Sequence, residues 1–218
     1  MDVESISLLS TEELSQHLNS DTLLLDTRSA YDFADGHIAG SLSIPFGDRF
    51  DELVHKMLSP DRKCLLIMPN EDQEKIENWI ADSKFSNIVG IYLFENDILE
   101  IFPADIVVSI GPEEFELDFR HDKSLLLYDL RTADQFELSH LKGSVNKSMH
   151  ELIEAAGDFK ENEVIYILSE NGDESMAFIS FMKMKGIHSL RHISGGKLAL
   201  PKEGLDWIEP KKKKKSNS

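Results

Sequence analysis

The sequence has little cysteine, few basic residues and no long apolar run, and each shortage excludes a class of protein. Cys64 is the one cysteine among 218 residues, so the chain cannot form an internal disulfide and a reducing cytoplasm is the expected location. The N-terminal segment carries early acids and no apolar core, which is not the pattern of a signal peptide. No apolar run approaches the roughly 18 residues that cross a bilayer, so we expect no membrane-spanning segment.

Charge is strongly unbalanced along the chain. Basic residues number 23 against 40 acidic ones, and the formal net charge at pH 7 is −17. Five of the basic residues form one run, Lys211–Lys215, and we expect residues 210–218 to be a disordered, lysine-rich tail. The rest of the chain is more acidic still and would repel phosphate groups. We therefore expect a protein partner, and neither a nucleic acid nor a membrane.

An internal repeat organises the chain. The stretch TLLLDTRSAYDFADGHIAGSLSIP begins at Thr22, and SLLLYDLRTADQFELSHLKGSVNKS begins at Ser124. The repeat pairs Asp26 with Asp129, Arg28 with Arg131, Phe33 with Phe136, His37 with His140, Gly40 with Gly143, and Ser41 with Ser144. The constant offset, about 100 residues, is the size of a domain rather than of a solenoid unit. We therefore predict two domains, residues 1–103 and 104–209.

Each half of the repeat alternates apolar strands with helices. The segment CLLIM (Cys64–Met68) in the first half corresponds to VIYIL (Val164–Leu168) in the second. A polar turn follows each segment, PNEDQE or SENGDES, and a helical pattern follows the turn. Strands that are apolar throughout are typical of a parallel sheet covered on both faces. The predicted fold class is α/β, with each domain a mostly parallel sheet flanked by helices.

These motifs resemble the rhodanese (sulfurtransferase) family over nearly the whole chain. The resemblance rests on LLLDTR…F…GHIAGS…IP in the first half, LLYDLR…F…SHLKGS in the second, and the Gly-Gly and tryptophan segment ISGGKLALPKEGLDW. Ser139 stands where the family usually has glycine, and Lys147 where proline is common. The resemblance implies a loop between a strand and a helix that carries a cysteine, a glycine and an arginine. The cysteine of that loop accepts sulfur as a persulfide.

Neither loop of this chain keeps the residues that the resemblance implies. In SENGDES, Ser169 falls at the cysteine position, Gly172 at the glycine position and Glu174 at the arginine position. In the first half, Pro69 falls at the cysteine position and Asp72 at the glycine position. A serine hydroxyl keeps its proton at neutral pH and holds no stable persulfide, and loop acids oppose an anionic sulfur donor. We therefore expect vestigial loops with no catalytic residue and no cofactor.

Two side chains leave a catalytic interpretation open. Cys64 could be a displaced sulfur carrier, although its position at the start of an apolar strand favours a buried structural thiol. Ser169 could be a nucleophile with His188, His192 or His140 as its base. The sequence around Ser169 lacks a nucleophile-elbow pattern and is acidic, which favours a non-catalytic serine.

The acidic turns could instead bind a divalent cation. Asn70–Asp72 and Glu170–Glu174 supply carboxylate and amide oxygens, which are the ligands that hard cations prefer. Their spacing does not match an EF-hand loop. We therefore expect solvated acidic turns and no metal.

The repeated charged and histidine residues at the strand ends also carry two interpretations. The aspartate–arginine pairs could bind a sulfur donor, but both halves keep the pair while lacking the cysteine, which favours a structural ion pair. The paired histidines show no ligand spacing for a metal, so a hydrogen-bonded packing role is favoured. The structural motif predicted in this way comprises Asp26, Arg28, His37, Asp129, Arg131 and His140.

The resemblance and the altered loops together lead to three hypotheses on function. The first is a catalytically inactive tandem rhodanese-like protein that acts as a binding, regulatory or scaffold module in sulfur metabolism. The second is an active thiosulfate or persulfide sulfurtransferase that uses Cys64 or a partner's thiol. The third is a vestigial pocket in which Ser169 and Gly172 hold a small neutral or cationic ligand. The loop chemistry favours the first, and the two halves could associate as a pseudo-dimer.

Overall fold

The computed structural model describes residues 6–18, 21–82, 87–160 and 162–210. The predicted lysine-rich tail begins at Pro210, and its residues 211–218 lie outside the described part of the chain. The chain divides into two compact units, the first made of residues 1–109 and 176–188, the second of residues 110–175 and 189–218. The domain boundary at Pro103–Asp105 stays a prediction.

The first unit is built on a four-stranded parallel sheet. The strands are β1 (Leu23–Asp26), β2 (His37–Ile38), β3 (Leu42–Ser43), β4 (Cys64–Met68), β5 (Ile88–Leu93) and β6 (Ala104–Asp105). The helices are α1 (Thr11–Leu18), α2 (Ala30–Asp35), α3 (Phe50–Met57), α4 (Gln73–Asp82) and α5 (Ile98–Ile101), with a 3-10 turn at Asn70–Asp72. The sheet order is β3–β1–β4–β5, and β2 pairs with β6 in an antiparallel ribbon.

The second unit repeats this plan with an added edge strand. Its strands are β7 (Ser109–Ile110), β8 (Leu126–Asp129), β9 (His140–Leu141), β10 (Val145–Asn146), β11 (Ile165–Leu168), β12 (Leu190–Ile193) and β13 (Trp207–Ile208). Its helices are α6 (Pro112–His121), α7 (Ala133–Leu138), α8 (Met149–Glu154), α9 (Asp173–Met184) and α10 (Gly196–Ala199), with a 3-10 turn at Ala156–Asp158. The sheet order is β10–β8–β11–β12–β7, and β9 pairs antiparallel with β13. From Met176 onward, α9 belongs to the first unit.

Each unit has an apolar core that follows from its sequence pattern. Every residue of β1 and β4 is buried, because uninterrupted apolar strands suit a sheet with both faces covered. The core of the first unit contains Leu14, Leu24, Ile38, Leu65, Ile67, Tyr92 and Ile98. The core of the second unit contains Ile110, Phe115, Leu127, Leu141, Leu168, Ile193, Leu200 and Leu205. The prediction of an α/β fold with mostly parallel sheets is confirmed.

Strand register brings the repeated motifs beside the loops. Asp26, the last residue of β1, pairs with Ile67 on β4, and Asp129, the last residue of β8, pairs with Leu168 on β11. The strands are parallel, so their carboxyl ends lie at one edge of each sheet, which is where open α/β folds place their sites. The aspartate–arginine motif of each unit is therefore adjacent to the loop that follows the neighbouring strand.

Candidate functional site

A buried ion pair ends β1 and is repeated at the end of β8. In the first unit, Arg28 donates from Nε to Asp26 Oδ1 at 3.0 Å and from Nη2 to Oδ2 at 2.7 Å. In the second unit, the corresponding distances between Arg131 and Asp129 are 2.9 Å and 2.6 Å. Both aspartates are fully buried. Burial raises the pKa of the Asp26 carboxyl, and the hydrogen bonds from Arg28 oppose that shift.

Each arginine also holds the chain that follows the next helix. Nη2 of Arg28 donates to the Gly36 carbonyl at 2.9 Å, and Nη2 of Arg131 donates to the Ser139 carbonyl at the same distance. Only the carbonyl oxygen is used, so serine serves here as well as the glycine that the family usually has. The motif thereby ties the end of a strand to the loop before β2 or β9.

The histidine after each of these loops stacks on a phenylalanine one helical turn earlier. The rings of Phe33 and His37 lie 3.7 Å apart, and those of Phe136 and His140 lie 3.9 Å apart. In each pair, Nδ1 of the histidine lies 2.8 Å from the phenylalanine carbonyl oxygen. Burial lowers the pKa of His37 to about 4, so its ring is neutral at pH 7.

The loop after β11 forms a cradle around the Ser169 hydroxyl. Ser169 Oγ accepts hydrogen bonds from the backbone N–H groups of Gly172 and Ser175, each at 3.2 Å, and donates to Ser175 Oγ at 3.1 Å. Gly172 has φ = +98°, which side chains rarely adopt and which turns the loop toward the start of α9. The backbone around the family's cysteine position is thus arranged to donate to one small acceptor, and here a hydroxyl is that acceptor.

Ser175 lies between the cradle and His192, and no histidine nitrogen is recorded in contact with Ser169 Oγ in the described part of the chain. Ser175 Oγ donates its one proton to the Gly172 carbonyl at 2.9 Å. His192 Nδ1 lies 3.0 Å from Ser175 Oγ, and while that hydroxyl donates to the Gly172 carbonyl, the ring nitrogen is the donor in this contact. Burial lowers the pKa of His192 to about 4. Ser169 thus has no basic nitrogen directed at its hydroxyl in this hydrogen-bond pattern, and His140 is engaged with the Phe136 carbonyl.

The Gly-Gly turn closes over the Ser169 loop. Lys197 N donates to the Ser169 carbonyl at 2.8 Å, and Leu198 N donates to the Glu170 carbonyl at 3.0 Å. Gly196 has φ = +58°, and a Cβ there would lie 2.5 Å from the Ser169 carbonyl oxygen. Ser169 is fully buried as a result.

The acids of this loop differ from one another in exposure. Glu174, at the family's arginine position, is 3% exposed, so the prediction of a solvated acidic turn is wrong for this residue. Glu174 is the second residue of α9, and the folded chain covers its side chain there. Glu170 Oε2 lies 3.6 Å from Arg131 Nη1, and Asp173 accepts from the Asn171 side chain at 2.6 Å.

The loop after β4 builds no comparable cradle. Pro69, at the family's cysteine position, is extended, and the 3-10 turn Asn70–Asp72 follows it. Proline has no side-chain donor or acceptor, and Asp72 N donates weakly to the Pro69 carbonyl at 3.3 Å. The loop therefore supplies no group that can accept sulfur.

Cys64 lies at the far end of β4 from this loop. Pro69 is five positions further along the extended chain, a span of about 16 Å. The side chain is fully buried, and Sγ donates to the Arg62 carbonyl at 3.4 Å. Burial raises the pKa of the thiol to about 11.

Neither a metal-ligand cluster nor a membrane-spanning helix occurs in the described part of the chain. There, no cluster of three or more histidine, cysteine or acidic side chains has the geometry of a metal site. In the same residues, no helix combines the length and the apolar character that crossing a bilayer requires.

Comparison with known proteins identifies the source of the repeat. A family model described as "Rhodanese-like domain" matches residues 10–93 and, a second time, residues 112–200. The chain belongs to the rhodanese family. It contains two rhodanese-like domains in tandem, and the resemblance inferred from the motifs is confirmed.

Relatives cover this rhodanese chain to different extents. The chain is 28% identical over 93 residues to YrkF of Bacillus subtilis (strain 168), a protein named for a proposed role as a sulfur carrier. This match covers 43% of the present chain and 50% of YrkF. A rhodanese-like domain protein from Staphylococcus aureus is 23% identical, with a TM-score of 0.41. The match covers 45% of this chain and 96% of that protein's chain. A thiosulfate sulfurtransferase from Pseudomonas aeruginosa is 13% identical, with a TM-score of 0.39. The match covers 94% of this chain and 44% of that enzyme's chain.

Sequence reasoning missed part of the second loop. It identified Ser169, Gly172 and Glu174 by resemblance, and the structure places all three in one turn. It did not identify the contact between Ser175 and His192, because the partners are 17 residues apart and no motif links them. The Gly195–Gly196 pair was a usable signal, since paired glycines indicate a close backbone approach.

Proposed function

We propose that this tandem rhodanese-like protein has no sulfurtransferase activity of its own and acts as a binding module in sulfur metabolism. The observation that carries the proposal is the Ser169 hydroxyl in the N–H cradle of the second domain. An active loop needs a thiolate there, because only a thiolate accepts and releases sulfur at neutral pH. The hydroxyl already accepts from both N–H groups, so the loop is complete without sulfur.

Cys64 does not replace the missing thiol in this proposal. With its pKa raised to about 11, about one molecule in ten thousand carries the thiolate at pH 7. The side chain is also fully buried, so a sulfur donor such as thiosulfate cannot reach Sγ without local unfolding. We infer that Cys64 is a structural core residue.

The binding role rests on family membership and on charge. Both domains keep the strand-end ion pairs that hold the fold, while neither keeps the chemistry of the loop. The relative from Bacillus subtilis is named as a sulfur carrier, which supports a place in sulfur handling. We propose a protein partner that itself carries the sulfur, and a cytoplasmic location in keeping with a single reduced cysteine. The strong negative charge of the chain disfavours nucleic acid and anionic membranes as partners.

Sulfur-transfer assays test this proposal directly. Thiosulfate and a low-molecular-weight persulfide are offered as donors, with cyanide or a thiol as acceptor, to the wild type and to Cys64→Ala. We expect both proteins to show only the uncatalysed rate. Turnover in the wild type that disappears in Cys64→Ala would establish the alternative, an active sulfurtransferase that uses the displaced thiol.

A third variant separates the missing sulfur from the altered electrostatics. Ser169→Cys places a thiol between the two N–H donors, and intact mass after exposure to the persulfide shows whether it gains one sulfur atom. Because a carboxyl group, that of Glu174, stands at the family's arginine position and does not stabilise a thiolate as an arginine does, we expect little loading. Efficient loading and turnover would show that the serine alone accounts for the inactivity.

A further inference from the structure

A cavity of about 470 Å³ lies in the first unit beside the loop that follows β4. Its wall includes Pro69, the residue at the family's cysteine position, and Arg28 of the strand-end ion pair. The volume is within the roughly 300–1,000 Å³ typical of small-molecule sites. The first domain therefore keeps a ligand-sized space although its loop has no sulfur chemistry.

The surroundings of Arg28 determine which of its atoms can meet a ligand. Its side chain is 7% exposed, and Nε and Nη2 are bound to Asp26 and to the Gly36 carbonyl. The Phe94 ring covers one face of the guanidinium, with its centroid 3.5 Å from Cζ. Within the part of the chain that the structure describes, Nη1 has no hydrogen-bond acceptor. The N–H groups of Nη1 are thus the donors left for an occupant of the cavity.

In the second repeat, the corresponding nitrogen has a carboxylate of the same chain beside it. Arg131 makes the same bonds to Asp129 and to the Ser139 carbonyl, but its Nη1 has Glu170 Oε2 at 3.6 Å. The two arginines therefore differ at Nη1, and of the two only Arg28 has an aromatic ring over its guanidinium in the described part of the chain. Arg28 lines a cavity, whereas Arg131 has a carboxylate of the same chain beside it.

The cavity wall also carries four carboxylates. Its carboxylates belong to Asp32, Asp35, Glu71 and Asp72. The charge of Arg28 is balanced by its ion pair with Asp26, and Asp72 is bridged to Lys75 at 2.7 Å. The wall keeps a net negative charge, so a simple anion is repelled even though Nη1 is free to donate a hydrogen bond. A fitting occupant brings an acceptor for the arginine and a cation for the carboxylates.

We propose that the cavity binds a small amino acid with a cationic side chain. Its carboxylate accepts hydrogen bonds from Arg28 Nη1, and its positive groups face Asp35 and Glu71. The Phe94 ring flanks the same space and supplies an apolar surface for the aliphatic part of the ligand. This proposal is independent of the one on sulfur transfer, because the loop residue Pro69 contributes only shape.

Titration of the isotope-labelled full chain at low ionic strength tests the ligand class. The ligands are L-arginine, its decarboxylated analogue agmatine, and acetate, and the readout is the shift of the Gly36 and Phe94 amide resonances. We expect L-arginine to bind about tenfold more tightly than agmatine, because a charge-assisted hydrogen bond outweighs the larger charge of agmatine. Acetate should not bind. Equal or tighter binding of agmatine, binding of acetate, or no shift with L-arginine would each overturn the proposal.

Charge-neutralising variants locate the site. Asp35→Asn combined with Glu71→Gln should weaken the binding of L-arginine about fivefold, as expected for two exposed ion pairs. The matched control combines Glu113→Gln with Glu137→Gln, which removes the same charge from exposed positions of the second unit. Equal weakening by both pairs would show that the net charge alone attracts the ligand.

Arg28→Lys tests the proposed hydrogen bond. Lysine keeps the positive charge beside Asp26 and removes Nη1, and circular dichroism shows whether the variant folds. We expect the preference for L-arginine over agmatine to disappear. Persistence of that preference in a folded variant contradicts the role of Arg28, and if the variant does not fold, the comparison of the two ligands on the wild type decides.

Discussion

Replacing Ser169 with alanine should destabilise the second unit by about 2–4 kcal/mol. Ser169 Oγ is the acceptor for two buried backbone N–H groups, those of Gly172 and Ser175, each at 3.2 Å. Alanine leaves both without that acceptor, and each unsatisfied buried donor costs roughly 1–3 kcal/mol. The long distances favour about 1–2 kcal/mol for each N–H group. The volume of one lost oxygen adds little.

Urea unfolding at 25 °C measures this loss of stability. The chain has two tryptophans, Trp79 in the first unit and Trp207 in the second. In a Trp79→Phe background, fluorescence therefore reports on the second unit, whose unfolding can be analysed as one transition. Ser139→Ala is the matched control, because only the carbonyl of Ser139 contacts Arg131. The control should stay within about 0.5 kcal/mol of the wild type.

The outcome shows whether the Ser169 hydroxyl stabilises the loop through its hydrogen bonds or makes no contribution to stability. A loss below about 0.5 kcal/mol in Ser169→Ala, equal to the control, would refute the reasoning, because the N–H groups would then be satisfied without the hydroxyl. Ser169→Cys should fall between alanine and the wild type, since sulfur is a weaker acceptor than oxygen.

Two further predictions concern the closing turn and the buried histidines. Gly196→Ala should destabilise the second unit by roughly 2–4 kcal/mol in the same urea assay, because the residue has φ = +58° and its Cβ would lie 2.5 Å from the Ser169 carbonyl oxygen. His37 and His192 have their pKa values lowered from 6.5 to about 4 by burial. Between about pH 6.5 and pH 4, the unfolded chain therefore binds protons at these histidines while the folded chain does not. As the pH falls through this range, each histidine should lower the free energy of unfolding by up to about 1.4 kcal/mol per pH unit.

A variant checks each of these two predictions. Gly157→Ala should leave the free energy of unfolding nearly unchanged, because a Cβ added there would meet no atom within 4 Å. A loss comparable to that of Gly196→Ala would show that the close contact at Gly196 is not the cause of the destabilisation. His192→Gln should reduce how strongly the stability depends on pH, because it removes one of the two rings whose pKa burial lowers. A wild-type stability that is constant between pH 7 and pH 5 would contradict the neutral, buried state of both rings.

The repeat and the fold could be predicted because they depend on local pattern. The apolar segment Cys64–Met68 and its counterpart at Val164–Leu168 are long enough and uniform enough to indicate buried parallel strands. The structure forms those strands at Cys64–Met68 and Ile165–Leu168. The strand-end pairs were equally visible, since an aspartate and an arginine two residues apart can meet within one turn of chain.

The state of individual side chains in the loop could not be predicted in the same way. Glu174 belongs to a run of acids that resembles a solvated turn, yet it is buried. His192 is one of eight histidines, and nothing nearby in the sequence indicates that it meets Ser175. The cavity beside Arg28 has no sequence pattern at all, because its wall is drawn from α2, α5 and the loops after β1, β4 and β5.

The sequence by itself determined the tandem repeat, the α/β class, the family and the absence of a cysteine from both loops. Those properties follow from residue identity and spacing, which act over a few positions of the chain. Only the tertiary structure decided that the Ser169 hydroxyl is held by two N–H donors, that Cys64 is inaccessible, and that Arg28 faces a cavity while Arg131 faces Glu170. Burial and hydrogen bonding between distant segments set these outcomes, because they depend on which backbone groups the folded chain brings within about 3 Å of each other.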